Sequence, residues 1–91
     1  MTPFERAEHA KQLLADELLR EAFAEIRGRL IAQLESAPIS DVELQHEVTL
    51  MLQLLKRVRE QLERYVSDGA IEQHRARQQG FIEKLRERIS W

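Results

Sequence analysis

The chain has 91 residues, of which 43% are hydrophobic and 33% are charged, and its formal net charge is −2. This length allows one domain, residues 1–91. The composition excludes intrinsic disorder. No uninterrupted apolar run is longer than Leu50–Leu52, which excludes a membrane-spanning helix because such a helix needs about 20 apolar residues. The absence of cysteine excludes a disulfide scaffold and a thiolate metal site, and the first residues lack the apolar stretch of a signal peptide. We therefore expect a protein of the cytoplasm.

The first predicted helix covers residues 3–15. Thr2 and Glu5 have the spacing of a capping box, and Pro3 occupies the first helical position, where its missing N–H is not needed. Asp16 then allows two interpretations. It caps a new helix that begins at Glu17, or it lies on the polar face of one continuous helix. We favour a break at this point.

The second predicted helix covers residues 17–36, because its apolar side chains follow one another at steps of three and four residues. Pro38 ends this helix, since the residue before a proline is disfavoured in the helical region. Ser40 and Glu43 form a second capping box, and Ile39 and Leu44 have the spacing of a hydrophobic staple. A loop this short predicts an antiparallel helical hairpin.

The third predicted helix, residues 41–67, carries a heptad stripe that is typical of a helix packed along another helix. Extra leucines flank the stripe, so one partner helix cannot cover this apolar surface, and we expect homo-oligomers. The stripe and its flanks predict a self-association surface that consists of Leu44, Val48, Met51, Leu52, Leu54, Leu55, Val58, Leu62 and Tyr65.

Gly69 is predicted to end this helix, because glycine readily adopts the left-handed conformation of a helix C-terminus. A weaker helix is expected from residue 70 or 80 to residue 90. Its apolar face either completes the hairpin as a third helix or docks on a larger partner protein, since aromatic side chains often anchor interfaces. The predicted docking residues are Phe81, Ile82, Leu85, Ile89 and Trp91.

The sequence contains no pattern that is typical of catalysis. It has no nucleophile elbow and no glycine-rich phosphate loop, and its serines lie where helix ends are predicted. Glu43 and His46 match half of a di-iron pairing, but no second copy of the pattern exists and His46 points away from the apolar face. We expect no enzyme activity, no metal and no cofactor.

Basic residues on the third helix suggest a possible nucleic-acid contact through Lys56, Arg57, Arg59 and Arg64. Glu60 and Glu63 lie among them at distances suited to intrahelical ion pairs. Nucleic-acid binding would need a more concentrated basic face, so a solvated, ion-paired surface is the favoured interpretation.

Two segments, residues 13–23 (LLADELLREAF) and residues 50–63 (LMLQLLKRVREQLE), followed by Gly69, resemble a group of small all-helical proteins. These proteins are encoded by tailed bacteriophages and prophages, often near genes for virion assembly and DNA packaging. The likeness covers residues 7–70. It implies a phage setting and a non-enzymatic role, and it supplies no catalytic residues.

Together these observations predict an all-α protein: an antiparallel hairpin with a third, C-terminal helix and coiled-coil-like packing, assembled as an oligomer. The expected function is that of a phage assembly or adaptor protein in the host cytoplasm or the virion. Its expected partners are a second copy of itself and a larger phage or host protein, with no membrane contact. Two alternatives stay open: a nucleic-acid-binding packaging accessory, and a small inhibitor of a host defence protein or enzyme.

Overall fold

Three helices account for nearly all of the chain: α1 (Pro3–Ala15), α2 (Glu17–Ser36) and α3 (Val42–Ile89). The computed structural model describes the backbone of residues 1–89 and the side chains of residues 1–80 and 84. Over this range there is no strand, so the predicted all-α class is confirmed. Helices α1 and α2 run along α3 in the opposite direction, as the predicted hairpin requires.

The molecule is a rod of 78 × 26 × 18 Å with a radius of gyration of 21.6 Å. A compact domain of this length would have a radius of gyration of about 12 Å. The accessible surface is 7990 Å², whereas a compact monomer of this mass would expose about 5500 Å². The chain therefore leaves far more surface in contact with solvent than a globular domain does.

The break between α1 and α2 lies at Asp16, as predicted. Its backbone is extended, and its N–H donates to the carbonyl oxygen of Leu13 at 3.2 Å. Its side-chain Oδ1 accepts a hydrogen bond from the N–H of Leu19 at 2.8 Å. One residue thus ends α1 and caps α2. At the start of α1, Thr2 Oγ1 accepts from the N–H of Glu5 at 3.1 Å, which confirms the predicted cap.

The start of α3 differs from the prediction by one residue. Asp41, not Ser40, is the cap, because its Oδ1 accepts from the N–H of Leu44 at 3.1 Å and α3 begins at Val42. The predicted staple between Ile39 and Leu44 is wrong, since Ile39 is 91% exposed. The loop is held instead by Gln45, whose Nε2 donates to the carbonyl oxygen of Pro38 at 3.0 Å.

The predicted helix end at Gly69 is wrong. No described glycine has a positive φ, and α3 continues through Gly69 without interruption. Gly69 is buried against α1. An added Cβ would overlap the Cβ of Ala7 and would lie 3.1 Å from the carbonyl oxygen of Pro3. Glycine is needed here because two helix backbones approach closely. The fold has three helices because the chain breaks at Asp16, not because it breaks at Gly69.

Among the residues whose side chains are described, complete burial is confined to two regions of the rod. Near the hairpin loop, Val48 is 1% exposed. Farther along α3, beside the start of α1, Ala7 and Ala10 are 3% and 2% exposed and accompany Gly69 of α3. Helix α2 contains no buried residue. Between the two closed regions the helices are therefore only partly packed.

Candidate functional site

Helix α3 presents two apolar faces, and they divide the predicted self-association residues. The inner face lies against α1 and α2: Val48 is buried, and the half-buried residues are Leu44, Leu52, Leu55, Leu62 and Tyr65. The exposed members are Met51, Leu54 and Val58. Leu52, which lies outside the strict heptad stripe, is half-buried, whereas Met51 and Val58 within the stripe are exposed.

We call the exposed apolar face of α3 the outer stripe; it consists of Leu50, Met51, Leu54 and Val58. These side chains are 50%, 51%, 62% and 46% exposed. Leu50, Met51 and Val58 each lie three or four residues from Leu54, which places them along one side of the helix. They are consecutive exposed apolar positions on a regular helix, which is the surface that a second helix can cover.

Charged residues of opposite sign lie at the two ends of the outer stripe. Glu43 and Glu47 precede it, and Arg57 and Arg64 accompany and follow its C-terminal end. All four are exposed. Within the part of the chain whose side chains are described, none of the four forms an ion pair. They are therefore available to a partner.

A groove separates α3 from the other two helices in the middle of the rod; we call it the central groove. Its volume is about 960 Å³. On the N-terminal side it is lined from Leu13 to Ile31, and on α3 from Thr49 to Glu63. Its large apolar side chains that are half-buried are Leu14, Leu19, Phe23, Ile31, Leu52, Leu55 and Leu62.

The central groove also carries an excess of positive charge. Helix α2 contributes Arg20 and Arg27, and α3 contributes Lys56 and Arg59, against one carboxylate, Glu63. Arg59 Nε lies 3.3 Å from Glu63 Oε1. Lys56 Nζ lies 3.7 Å from Glu60 Oε1. Among the described side chains, Arg20 and Arg27 have no such ion pair.

The predicted nucleic-acid residues do not form one basic face. Lys56 and Arg59 line the central groove and have carboxylate neighbours, whereas Arg57 and Arg64 do not line it. The four cations thus belong to two different sides of α3.

The remaining predicted positions are the C-terminal docking residues and His46. The docking residues Phe81, Ile82, Leu85, Ile89 and Trp91 lie outside the residues whose side chains the structure describes. His46 is exposed, and no three metal-ligating side chains converge over the described part of the chain. Among the described residues, no helix combines the length and the apolar character that crossing a membrane requires.

Two features were not predicted from the sequence: the contact between Gly69 and α1, and the central groove. A signal for the first was present in Ala7 and Ala10, small residues on the apolar side of α1 that permit close helix approach. A signal for the second was the placement of Arg20 and Arg27, which flank Phe23 on the apolar side of α2.

Comparison with known proteins assigns no relative to this chain: no family, curated protein or solved structure matches it. The class that the fold defines is an elongated all-helical protein with two partly uncovered apolar surfaces, the outer stripe and the central groove.

Proposed function

We propose that this protein is a non-catalytic adaptor that acts through helix-mediated protein–protein contacts and associates with a second copy of itself through the outer stripe. The observation that carries the proposal is the exposure of Leu50, Met51, Leu54 and Val58 on one side of α3. Covering a half-exposed apolar side chain of this size contributes about 1 kcal/mol. Four such side chains on each copy favour a dimer that forms with increasing concentration.

The charges around the outer stripe support an antiparallel arrangement of the two copies. In a parallel pair, Glu47 would lie beside Glu47 of the other copy and Arg57 beside Arg57, and like charges at an interface are unfavourable. An antiparallel pair with its twofold axis near Leu54 places Leu50 opposite Val58. It also brings the acidic end of one stripe to the basic end of the other, where opposite charges attract.

The first experiment measures the molar mass of the protein by light scattering over a range of concentrations. We expect the wild-type chain to dimerise and Leu54→Glu to remain monomeric, because the substitution places a charge at the centre of the stripe. Ile71→Glu is the matched control, since Ile71 is 53% exposed on the same helix but lies outside the stripe. A wild-type chain that stays monomeric at millimolar concentration contradicts the proposal.

The second experiment determines the orientation by disulfide cross-linking, which the cysteine-free sequence makes straightforward. We expect Leu54→Cys to cross-link with itself because it lies near the twofold axis. Glu47→Cys should not cross-link with itself, whereas a mixture of Glu47→Cys and Gln61→Cys should cross-link. Efficient self-cross-linking of Glu47→Cys would show a parallel pair instead.

For the biological setting we propose a component of phage assembly or packaging. What supports this setting is the resemblance over residues 7–70 and the adaptor-like surfaces. Detection of the protein in purified virions is the expected result. Its presence in infected cells but not in virions would favour the role of an inhibitor that binds a host protein.

A further inference from the structure

We propose that the central groove binds an amphipathic helix of a partner protein, with acidic residues along both flanks of that helix. This site is separate from the outer stripe, because the two surfaces lie on different sides of α3 and share no residue. The inference thus goes beyond self-association and concerns a second kind of partner.

The shape of the groove fits a helix. Its lining on α3 runs from Thr49 to Glu63, which corresponds to a length of about 21 Å, or four helical turns. The walls are two antiparallel helices, and a third helix laid between them completes a three-helix bundle, the usual way to bury such surfaces. The half-buried side chains of Phe23, Leu52 and Leu55 would then receive the apolar face of the added helix.

The position of the groove explains why the chain does not close it. Val48 near the hairpin loop is buried, and so are Ala7 and Ala10 near the start of α1. The helices are therefore held together on either side of the groove, while α2 contains no buried residue. Arg20 and Arg27 on α2 have no carboxylate partner among the described side chains, so an occupant with negative charge would pair with them.

The distribution of the cations distinguishes a helix from a single anionic head group. Arg20 and Arg27 are separated by seven residues, or about 10 Å along α2. Lys56 and Arg59 line the other wall, where each also lies beside a carboxylate of α3. A fatty acid carries one carboxylate and would satisfy only one of these positions. A helix with acidic residues spaced along both flanks would satisfy all of them.

The probes are three fluorescein-labelled synthetic peptides of sixteen residues. Each has leucine at helical steps of three and four with glutamate on both flanks, and the three differ in the register of the leucines. A matched set carries lysine in place of every glutamate. Binding to the full chain is measured by fluorescence anisotropy at low and at physiological salt. At least one glutamate peptide should bind at least about tenfold more tightly than its lysine counterpart, and more weakly as salt rises.

Substitutions then locate the binding site. Arg20→Glu combined with Arg27→Glu should weaken binding of the glutamate peptide by about tenfold or more, because two attractive contacts become repulsive. Arg29→Glu is the matched control, since Arg29 lies on the same helix, is 80% exposed and does not line the groove. It should leave the affinity unchanged. Circular dichroism verifies that every variant remains helical.

Several results would overturn the inference. One is failure of all three glutamate peptides to bind. Another is equal binding of glutamate and lysine peptides, or equal effects of the groove variant and of Arg29→Glu. Dodecanoate that binds the groove while the peptides do not would assign it to an anionic acyl chain. If no peptide binds but the double variant Arg20→Glu with Arg27→Glu changes self-association, the occupant of the central groove is a second copy of the chain. Because the outer stripe variant Leu54→Glu retains the groove, it should still bind the peptide, so the two proposals can fail independently.

Discussion

Helix α3 meets α1 and α2 in two different ways, and the residue sizes at the contacts account for the difference. Against α1 it presents Gly69, which lies on Ala7 so closely that no side chain fits between the backbones. Against α2 it presents leucines that face Leu19 and Phe23, and a groove of about 960 Å³ remains between the helices. Small residues allow two helix backbones to approach closely, whereas large apolar side chains at the contact hold the helices further apart.

The largest expected effect is at the close contact between α1 and α3. Gly69→Ala should lower the free energy of unfolding by about 2–3 kcal/mol, because the new methyl group overpacks the contact with Ala7. Gly28→Ala is the control. Nothing lies within 4 Å of a Cβ added there, so the higher helix propensity of alanine should raise the free energy of unfolding by up to about 1 kcal/mol. Urea denaturation followed by circular dichroism measures both free energies of unfolding. Changes of the same sign in the two variants would contradict a close α1–α3 contact at Gly69.

The next effect concerns the closed region near the hairpin loop. Val48→Ala should lower the free energy of unfolding by about 2 kcal/mol, because it removes two methyl groups from a buried position and leaves a cavity. The matched control is Val42→Ala, since Val42 is 68% exposed on the same helix. The control should change stability by less than about 0.5 kcal/mol. Equal losses for the two variants would show that Val48 is not enclosed.

A smaller effect is expected at Asp16, the junction between α1, which packs closely on α3, and α2, which leaves a groove beside α3. Asp16→Ala should cost about 1 kcal/mol, because the N–H of Leu19 loses its acceptor. Asp16→Asn keeps an acceptor oxygen at this position and should cost much less. Thermal denaturation, together with hydrogen exchange at the amide of Leu19, checks the prediction. If the alanine variant left that exchange rate unchanged, the cap would have no measurable role.

The smallest effect concerns the ion pair between Arg59 and Glu63 beside the groove. Both side chains are more than half exposed, and exposed pairs of this kind contribute about 0–0.5 kcal/mol. Arg59→Gln should therefore leave the free energy of unfolding nearly unchanged at low and high salt. A loss greater than about 1 kcal/mol would mean that Arg59 supports the packing of α2 on α3.

The sequence predicts the helices and their caps better than it predicts the contacts between them. Thr2 and Asp16 act through hydrogen bonds to residues three positions away, so local spacing is sufficient to place them. Gly69 illustrates the opposite case. Its preference for a helix end is a local property, but its role depends on Ala7, which is 62 residues away in the sequence. No local pattern distinguishes a glycine that ends a helix from one that admits a neighbouring helix.

The surfaces show the same limit. The apolar stripe of α3 is visible in the sequence, but which of its residues face α1 and α2 depends on where those two helices lie against it. Met51 and Leu52 are neighbours in the sequence, yet one is 51% exposed and the other is half-buried. The central groove requires residues of α2 and α3 that are about thirty positions apart, and periodicity within a single helix cannot reveal it.

The continuity of α3 through Gly69 has a mechanical consequence. An unbroken helix of 48 residues is about 72 Å long, and it keeps the hairpin loop and the C-terminal turns at a constant separation and a constant rotational phase. Inserting one residue after Gly69 would lengthen this spacer by only about 1.5 Å but would turn everything beyond it by about 100°. Helix α3 would therefore fix both the distance between two groups attached at its ends and the angle between them about the helix axis.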